Sequence, residues 1–403
     1  MDLRPTDDDN RFRTEVRAFL LTHVPEPIRR KVMEERHLSR AEIIDSQRIL
    51  NAAGYAVPHW PAEWGGRDWS PTKRAILMEE IERNAVPSPL PFNTALVGPV
   101  IAAFGSEAQK ARFLPAIANL DLWFCQGFSE PGAGSDLASL TTRAVREGDH
   151  YRVTGQKLWT TFAHRADWMF ALVRTDPDAK KQKGISFLLI DMMSPGITVR
   201  PILTIDGLHE VNEVFLDDVM VPVENRIGEE NRGWDYAKYL LGRERISIAH
   251  VGLTARRLER VREAARTTPN GDGVLWDDPA FRRKVFAAEV SLKALSVTQD
   301  RVVAEQAKPE QSNSPDPKSS ILKIRGSELQ QRGTELMLDV VGPAAISAGA
   351  VKTEGPAAHV DPDAPDDALA ALGPSYFGYR KVSIFGGSNE IQRSILAKAV
   401  LGL

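Results

Sequence analysis

The hydrophobic period of this chain changes twice, and that change decides what it can fold into. Up to about residue 118 apolar residues recur at helical spacing. In "FRTEVRAFLL", Phe12, Val16, Phe19 and Leu20 fall along one face. "SRAEIIDSQRILNAAG" opens on Ser39 with Glu42 three residues later, a capping box. It offers Ile43, Ile44, Gln47 and Leu50 to a core and reaches Gly54 where a helix would stop. From about 119 to 228 the runs become short, β-branched and aromatic, with Gly, Pro and Asp between them: "HYRVTGQKLWTT", "WMFALVRT", "KGISFLLIDM", "GITVRPI" and "NEVFLDDVMVP". From Trp234 long helical patterns return, among them "YAKYLLGRERISIAHVGLTARRLERVREAAR". Segments 267–279, 307–318 and roughly 347–375 read as irregular. Helices, then strands, then helices predict segregated domains rather than a βαβ array. The expectation is an α+β multidomain chain. It has an N-terminal all-α domain (1–118), a middle β domain built as a barrel or sandwich (119–228), and a C-terminal four-helix bundle (229–403).

Composition narrows the function classes. The chain has 403 residues, room for two or three cores, and a net charge of −3, which gives no reason to expect nucleic acid or an anionic membrane as partner. Its one cysteine, Cys125, excludes an intramolecular disulfide, and the Cys/His pairs of a structural zinc site are missing, so no metal is expected. The start "MDLRPTDDDNRFRTEV" lacks a basic stretch followed by an apolar core, and no run of about 18 apolar residues occurs. These features predict a soluble, cytoplasmic protein.

Two stretches are candidates for holding a cofactor. In "GFSEPGAGSDLAS" (127–139), Gly132 and Gly134 permit unusual backbone, and the N–H groups of Ala133, Gly134 and Ser135 are placed to converge on an anion such as a pyrophosphate. The spacing matches neither a Walker loop nor a Rossmann fingerprint. Taken by itself, the loop is explained better by a plain turn with Ser129, Ser135 and Asp136 as local caps. In "KLWTTFAHRADW" (157–168), Trp159 and Thr161 share a strand face. They suit a flat aromatic ring with a hydrogen-bond donor beside it, or a half-buried strand with β-branched filling.

Taken together, "SEPGAGSD", then "K.WTT", then "FLDDVMVPVENRIGEENRGW" (215–234), then "GGSNEIQRSILAKAVLGL" at the end resemble the acyl-CoA dehydrogenase family over nearly the whole chain. The resemblance implies non-covalent FAD. It also implies oxidation of an acyl-CoA thioester at its α and β carbons, with a carboxylate taking the α proton and hydride leaving for flavin N5. It implies that Gln126, Phe128 and Ser129 lie along the isoalloxazine, that Gly134 and Ser135 are near the pyrophosphate, that Trp159 packs on the ring, and that Thr161 bonds near N5.

The family's usual base, a glutamate before Gly-Thr/Ser, falls here on Gly386, followed by Gly387 and Ser388. Glycine cannot take a proton, but its N–H can still bind the thioester carbonyl. A replacement lies in "YLLGRERISIAHVG". Read as one helix, it puts Glu244 inside a stripe of Leu240, Leu241, Ile248 and Val251, where a carboxylate is costly unless paired or used. A helix-edge glutamate pairing with Arg243, Arg245 or Lys238 is the plain alternative. Isovaleryl- and long-chain-type members resemble this chain in carrying the base before an arginine at this point. The resemblance therefore assigns the base to Glu244, followed by Arg245. The rival carboxylate, Glu390, is given a cofactor-side or helix-start role, and Ser388 a place near the adenine-side phosphates.

Homomeric members resemble one another in two stretches that complete a neighbour's FAD site. Here one region reads "DDPAFRRKVFAAEV" without that pattern. The other reads "DVVGPAAISAG" (339–349), with Asp339 at a glutamine slot and Pro343 and Ala345 for glycines. The resemblance is to large subunits of heteromeric pimeloyl-CoA-type and steroid side-chain-type dehydrogenases. It implies a homologous second subunit, or self-association with a differently completed site, and electron-transferring flavoprotein as acceptor. Two alternatives stand beside it: a non-catalytic helper subunit, and an acyl-CoA or nitroalkane oxidase on the same fold.

Overall fold

The computed structural model of the chain describes residues 3–243, 249–306, 318–343 and 371–402. Helix α1 (Asp7–His23) begins at a capping box between Thr6 and Asp9 and buries Phe12, Val16 and Leu20. After α2 (Glu26–Met33), α3 (Arg40–Ala52) starts at the expected box. Ser39 Oγ accepts the Glu42 N–H at 3.2 Å, and Glu42 accepts the Ser39 N–H at 2.8 Å. Leu50 and Gln47 are buried. Ile43 and Ile44 are only partly so, packed against a small cluster of Leu90, Leu120 and Trp123. The polar residue in that stripe has a reason to be there. Gln47 Nε2 donates to Ile117 O (3.2 Å) and Ala118 O (3.0 Å), and Gln47 Oε1 accepts the Leu90 N–H (2.7 Å). A buried amide that meets its partners this way is stabilising, not a defect. Helices α4 (Pro71–Arg83), α5 (Gly98–Phe104) and α6 (Glu107–Ala118) complete this part.

The middle of the chain is one seven-stranded sheet, curled into an open half-barrel. Its strands are β1 (Phe124–Gly127), β2 (Arg143–Glu147), β3 (His150–Thr161), β4 (Trp168–Arg174), β5 (Ile185–Asp191), β6 (Ile197–Leu203) and β7 (His209–Pro222). The order runs β1-β4-β2-β3-β7-β6, with β5 on β4. Strand β2 escapes the sequence pattern because only Ala144 of its five residues is buried. The apolar runs of β4 and β5 are continuous because both faces are covered. Trp168, Phe170 and Leu172 join the core shared with the helices, while Met169, Ala171 and Val173 join the core inside the sheet.

The C-terminal part is helical: α7 (Gly233–Arg243), α8 (Val251–Ala265), α9 (Pro279–Gln306) and α10 (Lys318–Val341), then short helices Leu372–Gly378 and Asn389–Leu396. Two expectations need correction. The long pattern from Tyr236 to Arg266 is not one helix. His250 takes a left-handed backbone (φ +46°) just before α8, and its Nδ1 lies 2.7 Å from the buried Glu82 carboxylate of α4. Leu240 and Val251 therefore belong to different helices, and a single helical stripe cannot be drawn through them. Within the stretch expected to be irregular, segment 267–279 holds a small hairpin, Pro269–Asn270 with Gly273–Val274, and helix Leu372–Gly378 starts before 375.

Candidate active site

Strand β3 is the base of the site. Tyr151, Val153 and Lys157 share its inward face, so a lysine is driven into the core. It is met there by Glu130 of the "SEPGAGSD" loop. Lys157 Nζ lies 2.7 Å from Glu130 Oε1 and also donates to Leu172 O at 2.7 Å. The N–H groups of Thr141 and Thr142 donate to the same carboxylate at 2.6 and 2.9 Å. Burial works against the charged glutamate. The Lys157 ammonium and these hydrogen bonds outweigh it and hold the carboxyl at about 2. Burial also lowers the lysine's affinity for its proton, and Glu130 opposes that shift. The pair pins the loop to β3, and Leu158 N–H donates to Ser129 O at 2.8 Å to extend the seam.

The next two residues break the strand. Pairing with β7 shifts register between Lys157 and Thr160, and Trp159 adopts a left-handed backbone (φ +59°). Left-handed backbone on a bulky residue is strained and persists only where surroundings impose it. The bulge turns the indole outward, 56% exposed, while Thr160 is buried and Thr161 is half-buried. Beneath it, buried Asn212 donates to Thr160 O at 3.0 Å. Gln126 and Ser129 are also half-buried. Among the described residues their side chains, like the Thr161 hydroxyl, have no hydrogen-bond partner.

The glycine-rich loop departs from expectation. Glu130 and Ala133 exchange backbone hydrogen bonds at 3.0 Å in both directions, so the Ala133 N–H is spent in the turn. Gly132 and Gly134 do not occupy the left-handed region, so no backbone constraint requires glycine there. A Cβ at either position meets nothing within 4 Å, which leaves that side of the loop open. Gly134 and exposed Ser135 remain as the donors the loop can offer. Phe128 points its ring into the core against Phe170 and Phe187, so only its main chain can face a ligand. The outward indole, the unspent polar side chains and the open loop fit an aromatic cofactor carrying a pyrophosphate. The Glu130–Lys157 pair escaped the sequence reading. The signal that would have found it is a lysine in register with Tyr151 and Val153.

The C-terminal loop approaches from the other side. Lys381 pairs with Glu210, whose carbonyl accepts the Phe162 N–H one residue beyond Thr161. This ties the loop to the end of β3. Beyond it, Ile384 and Phe385 are exposed, and Gly386 (φ +65°) and Gly387 (φ +82°) form two successive left-handed residues. Among the described residues no acceptor meets the Gly386 N–H. Ser388 caps the last helix through the Ile391 N–H, and Glu390 is exposed in its first turn. Glu390 is held below the ordinary carboxylate value by hydrogen bonds, its own backbone first and then Ser388. Those contacts give both residues a helix-start role. Glu244 and Arg245 lie outside the described residues, as does Ala345.

A three-part α–β–α chain with a cofactor-shaped face on its middle sheet is the class this architecture defines. Comparisons with known proteins agree along the whole chain. The N-terminal domain profile of acyl-CoA dehydrogenases matches residues 6–121, the middle domain profile 125–219, and the C-terminal domain profile 231–401. Acyl-CoA dehydrogenase FadE29 of Mycobacterium tuberculosis is 34% identical over 100% of this chain and 98% of its own length. Among solved structures, the Tcur3481-Tcur3483 steroid ACAD aligns with TM-score 0.84 and 30% identity over 100% of this chain and 99% of that one. The ChsE4-ChsE5 complex of Mycobacterium tuberculosis gives TM-score 0.82 and 31% identity over 100% and 99%. The chain belongs to the acyl-CoA dehydrogenase family, FAD-dependent oxidoreductases. Among the described residues no helix is long and apolar enough to cross a membrane.

Proposed function

We propose that this chain is the catalytic subunit of a heteromeric acyl-CoA dehydrogenase that converts an acyl-CoA thioester to the trans-2-enoyl-CoA, with Glu244 as the base. The observation that carries this reading is the Lys381–Glu210 tie, which holds the Gly386 loop against the strand bearing Trp159 and Thr161. Trp159 supplies a flat face for the flavin ring. Gln126, Ser129 and Thr161 supply polar contacts at its edge, and Gly134 and Ser135 supply donors for the pyrophosphate. Ser388 and Glu390 stand at the helix start on the loop's far side. FAD, when bound, supplies the hydride acceptor. The Gly386 N–H donates to the thioester carbonyl and stabilises the charge that develops there as the α proton leaves. Glycine at 386 leaves no carboxylate on this loop. Glu244 takes the proton instead, with Arg245 beside it in sequence. Electrons then pass to electron-transferring flavoprotein in a cytoplasmic setting.

Two observations support a homologous partner. At the slot where homomeric relatives place a glutamine stands Asp339, an anion with no amide donor, paired with Lys284 of α9 at 2.9 Å. The structural relatives named above carry paired chain names and, in one case, a steroid substrate class. A bulky acyl-CoA is the corresponding substrate class here. The test is anaerobic titration of wild type and Glu244→Gln with straight, branched and steroid-derived acyl-CoAs, with and without a co-purified homologue. Wild type should bleach, and Glu244→Gln should hold flavin and stay yellow. If both bleach alike, Glu244 is not the base. If short straight chains turn over best, the bulky-substrate assignment falls.

A further inference from the structure

We infer that Glu35 is a positioning residue for this active site: through Arg257 and Ser375 it fixes the Gly386 loop relative to the helix that follows Glu244. The inference rests on the function proposed above. Glu35 lies in the N-terminal part, in the turn after α2, with a left-handed backbone (φ +62°). Its Oε1 accepts Arg257 Nε at 2.7 Å, and its Oε2 accepts the Ser375 hydroxyl. Arg257, on α8, is 3% exposed in its side chain. Its guanidinium lies 4.0 Å from the Tyr379 ring centre, and Nη1 donates to Gln330 O at 3.2 Å.

The arginine crosses α10 at Gly333, where a Cβ would come within 2.7 Å of Arg257 Cδ. That close crossing shows the path is built for this side chain. From Tyr379 the grip continues along the loop. Arg380 pairs with Glu335 at 2.9 Å, Gln331 Nε2 donates to Tyr379 O and Arg380 O, and Lys323 donates to Val382 O. Four residues later comes Gly386.

Three separate parts of the chain therefore meet at one carboxylate, half-buried against the buried Arg257 guanidinium. One is helix α8, and one leads forward to the Gly386 N–H. Proton abstraction and carbonyl polarisation act on the same substrate carbon framework, so their separation must be held closely. An ion pair with a buried guanidinium and further hydrogen bonds on both partners is costly to break from the carboxylate side. Such a pair makes a rigid spacer.

The experiment uses the flavin-loaded protein with any co-purified partner. It compares wild type, Glu35→Ala, Glu35→Gln and Ser375→Ala. The control, Glu80→Gln, breaks a different buried cluster, with Arg13 and Arg17. Two quantities are read: the single-turnover rate of flavin bleaching at saturating acyl-CoA, and hydrogen–deuterium exchange of amides 379–388. Glu35→Ala should slow bleaching at least tenfold at unchanged flavin content and speed exchange of 379–388 at least tenfold. Glu35→Gln should recover most of both, and the control should change neither. Ser375→Ala removes only the loop-side contact and answers the question if Glu35→Ala does not fold. Wild-type exchange in Glu35→Ala or Ser375→Ala, or slowing equal to that of the control, overturns the inference. Faster exchange in a protein that no acyl-CoA bleaches sustains the positioning and overturns the proposed reaction.

Discussion

Replacing Lys157 with methionine should destabilise the protein strongly, and the structure sets the scale. Glu130 is 5% exposed, and its carboxyl is held at about 2 against an ordinary 4.5. At about 1.4 kcal/mol per pKa unit, that difference is on the order of 3 kcal/mol of stability at neutral pH. Because the folded-state pKa is depressed, the contribution is complete above about pH 4.5. It is lost as pH falls through the interval down to about 2. Lys157→Met removes the compensating charge and leaves a buried carboxylate with two amide donors and the Thr141 hydroxyl, a loss of about 3–5 kcal/mol. The double variant Glu130→Gln/Lys157→Met should be less damaged than Lys157→Met alone, since no buried charge remains. Urea unfolding followed by circular dichroism at pH 7 and pH 4 measures both effects. If Lys157→Met unfolds within about 1 kcal/mol of wild type, the pair does not hold the loop and the reasoning is wrong.

Further outcomes follow from the same geometry. Trp159→Gly removes the indole and relieves a left-handed backbone, so the apo-protein should melt no lower than wild type. Its FAD affinity should nevertheless fall by roughly 30-fold, about 2 kcal/mol of lost ring contact, measured by flavin fluorescence titration. Gly387→Ala places a Cβ 2.6 Å from Gln392 Nε2 at a φ of +82°. It should cost about 1–2 kcal/mol in thermal melts and lower turnover more than flavin content. Ser39→Ala breaks a capping box remote from the site and should cost about 1 kcal/mol with turnover unchanged.

Much of this was readable from local chemistry. The capping box at Ser39 and Glu42 is a contact between near neighbours, and helix α3 begins there because four residues suffice to make it. The successive left-handed backbones at 386 and 387 were not read in advance, although glycine is the residue that adopts them without strain. The apolar runs of β4 and β5 announced strands, although that both faces were covered had to come from the sheet. Other features are set by residues far apart in sequence. Nothing near Trp159 says that the strand breaks there. The break follows because Lys157 must reach Glu130, 27 residues earlier, while Asn212 holds Thr160 from the neighbouring strand. Nothing near His250 says that the helix stops, since the apolar pattern continues through it. The buried Glu82 of α4 captures the imidazole and the start of α8. The sequence alone determined the order of helical and strand regions, the capped helix starts and which family the chain resembles, because short-range hydrogen bonding and hydrophobic period are local. Tertiary structure alone decided which side chains are strained, paired or left open, because buried charges and close crossings find their partners only when distant segments are brought together.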